Sequence, residues 1–221
     1  MKTQKYEFTG MEKQADDHTL RQIRRISDGM LGGWIESEAN LSHQGNCFVY
    51  DNAWVFGDAK VYGNAQVYGN AEVYGNALVF GDACVFGNAC VFGDALVFGD
   101  AHILGDAKVF VDARVFGDAK VYGNAEVLDN ACVFGNARVL GDARIFGNAY
   151  VYGNAQVYGN AHVYDDAKVY GNAWIFGNAR VFRDAWVYDN ACVLGNAWVF
   201  GNAQVSGDAH VSGNAQVFGD K

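Results

Sequence analysis

Three histidines stand in the repetitive body of the chain, His102, His162 and His210, and acid–base catalysis is the first chemistry to test them for. A general base works only within hydrogen-bond reach of its partner groups. All three occupy the same variable position of a six-residue repeat, and the repeat gives none of them an evident acid–base partner. His18 and His43, nearer the N-terminus, are no better placed. Cys47, Cys84, Cys90, Cys132 and Cys192 raise zinc as the second chemistry. Structural zinc sites draw on close pairs such as C-x-x-C, and no such pair is present. Asp58, Asp94, Asp112, Asp166, Asp184 and Asp220 recur at multiples of 18 residues. Hard cations want six or more oxygens converging on one point, whereas a ladder of turn-forming aspartates is spread along an axis. The residues therefore assign no catalytic group, no metal ligand and no cofactor.

What positions these side chains is the repeat itself. From Val49 to Val217 every sixth residue is Val or Ile, which makes 29 hexads without an insertion. The next residue is Phe, Tyr or Leu except at Ser206 and Ser212, and the one after is Gly in 23 of 29 cases. Asn or Asp follows, then Ala, then a residue of any type. Ala-x-Val-aromatic alternates as a pleated strand does. Gly-Asn and Gly-Asp take left-handed backbone conformations at low cost and so make the turns. Six residues per strand and turn leave no room for a hairpin ladder, so the chain must wind as a solenoid. Parity sends Val and Ala inward, while the variable residue and the aromatic face outward.

The outward aromatics are the sharpest feature. Sorted by a period of 18 residues they fall into three columns, and one is dominated by Phe: Phe56, Tyr74, Phe92, Phe110, Leu128, Phe146, Tyr164, Phe182, Phe200, Phe218. Rings stacked about 4.8 Å apart bury one another's faces but not their outer edges. An apolar stripe of that length exceeds what monomers usually leave uncovered. Phe56, Tyr74, Phe92, Phe110, Phe146, Tyr164, Phe182, Phe200 and Phe218, widened by Trp198 near the end, are thus the expected contact residues. The expected partner is a second copy or another protein.

The unbroken Val-x-x-x-Ala-x pattern resembles the hexapeptide-repeat proteins. That resemblance implies a single-stranded, left-handed, triangular parallel β-helix with three hexads to each of about ten coils. The segment from Leu31 to Asn46 also resembles the start of bacterial and prophage proteins of this kind, some of which carry an acyltransferase label. Enzymes of the family are trimers with a catalytic His and acyl-CoA in the groove between subunits; many carry a loop excursion and a C-terminal helix. This chain has neither feature after Val49.

Residues 1–33 stand outside the repeat and are expected to cap the solenoid of residues 34–221. Tyr6 to Phe8 reads as a strand, and Leu20, Ile23 and Ile26 have helical spacing, with a strand as the other reading. Ile35 and Leu41 open a degenerate coil with Ala39 in its small position, and two extra residues near Gly45-Asn46 shift the phase to Val49.

Composition narrows the function. Hydrophobic residues make up 51% of the 221, so the chain is no disordered tail. Asn or Asp at every sixth position interrupts any membrane-spanning run. The start, Met1-Lys-Thr-Gln-Lys-Tyr-Glu-Phe8, has no apolar stretch of a secretory signal. A net charge of −9 argues against gripping nucleic acid, and Lys60, Lys108, Arg114, Lys120 and Arg138 interrupt the continuous negative stripe a duplex mimic needs. The odd cysteine count fits a reducing compartment, hence the cytoplasm of a bacterium or phage-infected cell. The expectation is a non-enzymatic rigid rod for assembly or protein binding. The alternatives are an acyltransferase-like enzyme and a phage-encoded inhibitor of a host protein.

Overall fold

The computed structural model describes residues 4–220, and every regular element among them is a β-strand. Strands β1 (Tyr6–Ala15), β2 (His18–Arg25) and β3 (Leu31–Ile35) precede 29 short strands, the first Phe48–Val49 and the last Gln216–Gly219. Each short strand pairs in parallel with the one three hexads on, as Lys108 does with Glu126 and Glu126 with Arg144. The result is a three-faced β-solenoid of about ten turns. We call the faces first (Trp54–Val55 to Gln216–Gly219), second (Lys60–Val61 to Gln204–Val205) and third (Phe48–Val49 to His210–Val211).

Within the solenoid a hexad gives up to three donors to the next coil. Around Lys108, the Lys108 N–H donates to Ala125 O at 2.9 Å and the Phe110 N–H to Val127 O at 3.0 Å; at a turn, the Asn88 N–H donates to Gly105 O at 2.8 Å. The Val and Ala between them are fully buried from Val49 to Val199, so the core is one narrow column of small side chains.

The turn glycine meets two demands at once. Gly99 has φ +71°, and a Cβ built there would lie 2.9 Å from the Gly117 nitrogen of the next coil. The six departures from Gly also keep positive φ, and four of them are aspartates. Their carboxylates accept the turn N–H of the following coil: Asp51 from Gly69 at 3.1 Å, Asp129 from Gly147 at 3.1 Å, Asp165 from Arg183 at 3.2 Å and Asp189 from Gly207 at 3.1 Å. The aspartate thereby satisfies a donor that would otherwise have no acceptor. Val111 (φ +64°) and Arg183 (φ +60°) stand in the same conformation without that compensation.

The N-terminal segment corrects three expectations. Residues 18–25 form a strand antiparallel to β1, not a helix. Leu20 and Ile23 are both buried because β2 is covered on its two sides: Leu20 packs with Ala15 and Phe56, and Ile23 with Tyr6 and the solenoid core. A strand buried on both faces loses its alternation, and the spacing of three mimics a helix. Ile26 is exposed. Ala39 does not fill the inward small position either; it is exposed, while Asn40 is buried and donates to the carbonyls of Gly57 and Ala59, both at 2.9 Å. The phase shift lies at His43 and Gln44, because Leu41 bridges to Val61 whereas Gly45 already stacks on Gly63.

Candidate functional site

The Phe-rich column runs down the edge of the first face as two stacks. Phe56, Tyr74, Phe92 and Phe110 follow one another with ring centroids 5.0, 4.9 and 4.8 Å apart and planes within 8°. Leu128 interrupts. Phe146, Tyr164, Phe182 and Phe200 then stack at 4.7, 4.9 and 5.1 Å, within 3° of parallel. Phe218 closes the column, tilted by 42° and 54% exposed. Trp198 stands beside it, edge-on to Phe182 at 6.1 Å, with the Arg180 guanidinium 5.4 Å from its ring.

Not all of this column faces solvent. The β1–β2 turn folds over its start, where Ala15 and Leu20 pack on Phe56 and leave it only 9% exposed, with Tyr74 against the same cluster. Phe56 therefore does not belong to an outward stripe, and the open ladder starts at Phe92. From Phe92 to Phe200 the rings are half-buried, their faces against one another and their edges to solvent, and only the terminal Phe218 is exposed.

The charges beside the open ladder sit on neighbouring rungs. Arg144 bonds Glu126 at 2.9 Å, and His162 lies between Arg144 and Arg180. Burial, with the two guanidiniums, holds the His162 imidazole below its usual range, so it is neutral at pH 7. His102 Nδ1 lies 2.8 Å from the Asp100 carbonyl, a local backbone contact. Burial pushes the Cys84, Cys90 and Cys132 thiols up, away from the thiolate form that attacks electrophiles or binds metal. Among the described residues no three His, Cys, Asp or Glu side chains gather as a metal site.

Sequence spacing missed two features. His18 Nδ1 contacts both oxygens of Glu36 at 3.0 Å, and Glu36 also accepts the Gly57 N–H at 2.7 Å. His18 borders a cleft of about 530 Å³ between the β1–β2 turn and the first coils, with Asp16, Asp17, Glu72 and Tyr74 on its walls. Only the hairpin brings His18 to Glu36, so no repeat spacing could reveal it. Nearby, the Lys13 ammonium lies 4.2 and 4.1 Å from the Trp34 and Trp54 ring centres, and burial draws its pKa down to about 8. The other feature is a groove of about 670 Å³ on the second face, where Tyr150, Lys168 and Trp186 rise beside Asp166 and Asp184. His43, in contrast, is structural: its ring stacks on Tyr6 at 4.3 Å and its Nδ1 accepts the Lys5 N–H at 3.2 Å.

The Glu36 geometry fixes a pH dependence. The His18 hydrogen bond, supported by that from Gly57, outweighs burial and holds the Glu36 carboxyl below its usual value. A depressed carboxylate stabilises the fold above its unfolded pKa, and the contribution is lost as pH falls through the folded pKa. Glu36→Gln is therefore expected to cost about 1 kcal/mol at pH 7 and to flatten the stability loss between about pH 5 and 3. Urea titrations across that range check this; parallel pH profiles for the two proteins would contradict it.

Comparison with known families agrees with the geometry. The family model described as YdcK beta solenoid repeat matches residues 65–79, 143–159, 155–171, 173–189 and 203–219, all of them in the coils. No curated protein matches the chain. Among the described residues no helix is long and apolar enough to cross a membrane. Fold and family match together describe a repeat β-solenoid protein.

Proposed function

We propose that the protein is a non-catalytic scaffold, a rigid solenoid that binds protein through the open aromatic ladder of its first face. The observation that carries this reading is the docking of the chain's own hairpin on that ladder. Ala15 and Leu20 cover Phe56 and Tyr74, whereas no described segment of the chain covers the rungs from Phe92 onward. The ladder is thus a surface on which a β-segment buries apolar area, continued for seven further rungs beyond Phe92. Five free cysteines, three of them with raised pKa, suit a reducing cytoplasm of a bacterium or phage-infected cell. Light scattering over a range of concentrations tests the reading in its self-associating form. The expected result is a species heavier than one chain.

The cleft beside His18 and Glu36 keeps an acyltransferase-like enzyme as the second reading, since an imidazole fixed by a carboxylate is what general-base work requires. Calorimetry with acetyl-CoA separates the two. The scaffold reading expects no saturable heat at high micromolar ligand; saturable binding that disappears in His18→Ala would favour the enzyme.

A further inference from the structure

Resting on the scaffold reading, we infer that the occupant of the first face is a second copy of the chain, antiparallel, with its two-fold axis between the Gly147 and Asp165 rungs. The columns repeat once per coil, and in the Phe column the stacked rings Phe92–Phe110 and Phe146–Phe200 lie 4.7–5.1 Å apart. A two-fold axis lying across the rods sets each column against itself in reverse. Once one pair of rungs is fixed, all the others follow.

In this register the side chains match column by column. Along the turn edge, Asp129 faces Arg183 and Gly147 faces Asp165; along the next column, Asn148 faces Asp166, Asn130 faces Asp184 and Asp112 faces Asn202. On the strands, Glu126 faces Arg180 and Lys108 faces Trp198. Arg144 faces His162, which burial and the arginines keep neutral at pH 7. The aromatic column meets itself as Phe146 on Tyr164, Leu128 on Phe182 and Phe110 on Phe200. Each contact occurs twice by symmetry.

Neighbouring registers lack this match. One rung in one direction sets Asp129 on Asp165, Asp112 on Asp184 and Lys108 on Arg180. One rung in the other sets Asp165 and Asp166 each on itself and Arg144 on Arg180. Like charges face each other only outside the six central rungs of the inferred register, where Asp94 meets Asp220 in the last turn.

The pairing also gives a role to the two turn residues that the fold leaves unexplained. Arg183 and Val111 hold positive φ without the compensating carboxylate that the aspartates supply. Across the two-fold, Arg183 meets Asp129, which has one carboxylate oxygen still free after accepting the Gly147 N–H. Val111 lies on Gly201, a residue with no side chain to obstruct it.

Charge reversal tests the register. Arg183→Asp should raise the dissociation constant of the pair tenfold or more, since like charges then face each other twice. Asp129→Arg should do the same, and Asp129→Arg with Arg183→Asp in one chain should return the constant to within about threefold of wild type. Glu126→Arg with Arg180→Glu repeats the cycle on regular strand positions, should a turn variant fail to fold. Sedimentation equilibrium gives the constants and circular dichroism confirms the fold. An associating wild type with no rescue in either double variant overturns the register and leaves the scaffold reading standing. A wild type that stays monomeric at high concentration overturns self-pairing altogether.

Discussion

Ala125→Leu lowers the melting temperature by roughly 3–10 °C, while Lys120→Leu leaves it within about 2 °C. The two positions are close in sequence and opposite in environment. Ala125 is fully buried, whereas Lys120 is an exposed strand residue on the third face. Three added carbons at Ala125 have only neighbouring Val and Ala side chains and stacked backbone to displace, and overpacking such a core costs about 1–3 kcal/mol. A solenoid magnifies the effect, because its stability is a sum of coils and nearest-neighbour interfaces. A coil forced open at Ala125 loses hydrogen bonds on both sides, including that from the Lys108 N–H to the Ala125 carbonyl at 2.9 Å. Equal melting of the two variants would show that the inward and outward columns have been exchanged.

That expectation rests on what the repeat made legible. Strict Val and Ala at fixed positions can only be an interior column, and period-two alternation between them can only be strand. Solenoid winding followed from the short turns, and the coil of three hexads from the family resemblance. The turn chemistry was legible in part: Gly-Asn and Gly-Asp announced positive φ, but the role of Asp51, Asp129, Asp165 and Asp189 needs the next coil's N–H beside each carboxylate. The N-terminal hairpin was the least legible, for two physical reasons. A strand buried on both sides has no alternation to read, so Leu20 and Ile23 mimicked a helix. And contacts across different elements, such as His18 with Glu36 or Leu20 with Phe56, depend on how the hairpin leans on the first coil. The repeat also could not show that the hairpin covers Phe56, which moves the start of the open ladder to Phe92.

Replacing Phe92, Phe110 and Phe146 together by Ser dissociates the assembly while leaving the solenoid folded. All three rings lie beyond the hairpin, and each is already half-covered by its stacked neighbours, with Phe92 and Phe110 4.8 Å apart and Phe146 4.7 Å from Tyr164. Full burial of a Phe is worth about 1.5–3 kcal/mol, so the edges still open to solvent account for about 1 kcal/mol per ring. A symmetric pair loses six such edges, which weakens it by roughly a thousandfold or more. The matched control lies on the third face. Tyr50 is unsuited to it, because it packs against the core beside Phe48 at 4.9 Å under the N-terminal segment. Tyr68, Tyr122 and Tyr158 to Ser removes three rings of a column that Leu104 and Leu140 interrupt. This triple variant should keep the wild-type mass in light scattering, with unchanged circular dichroism in both proteins. Equal dissociation by the two variants would mean that the rings act only by stiffening the rod, and that the first face has no privileged role in contact.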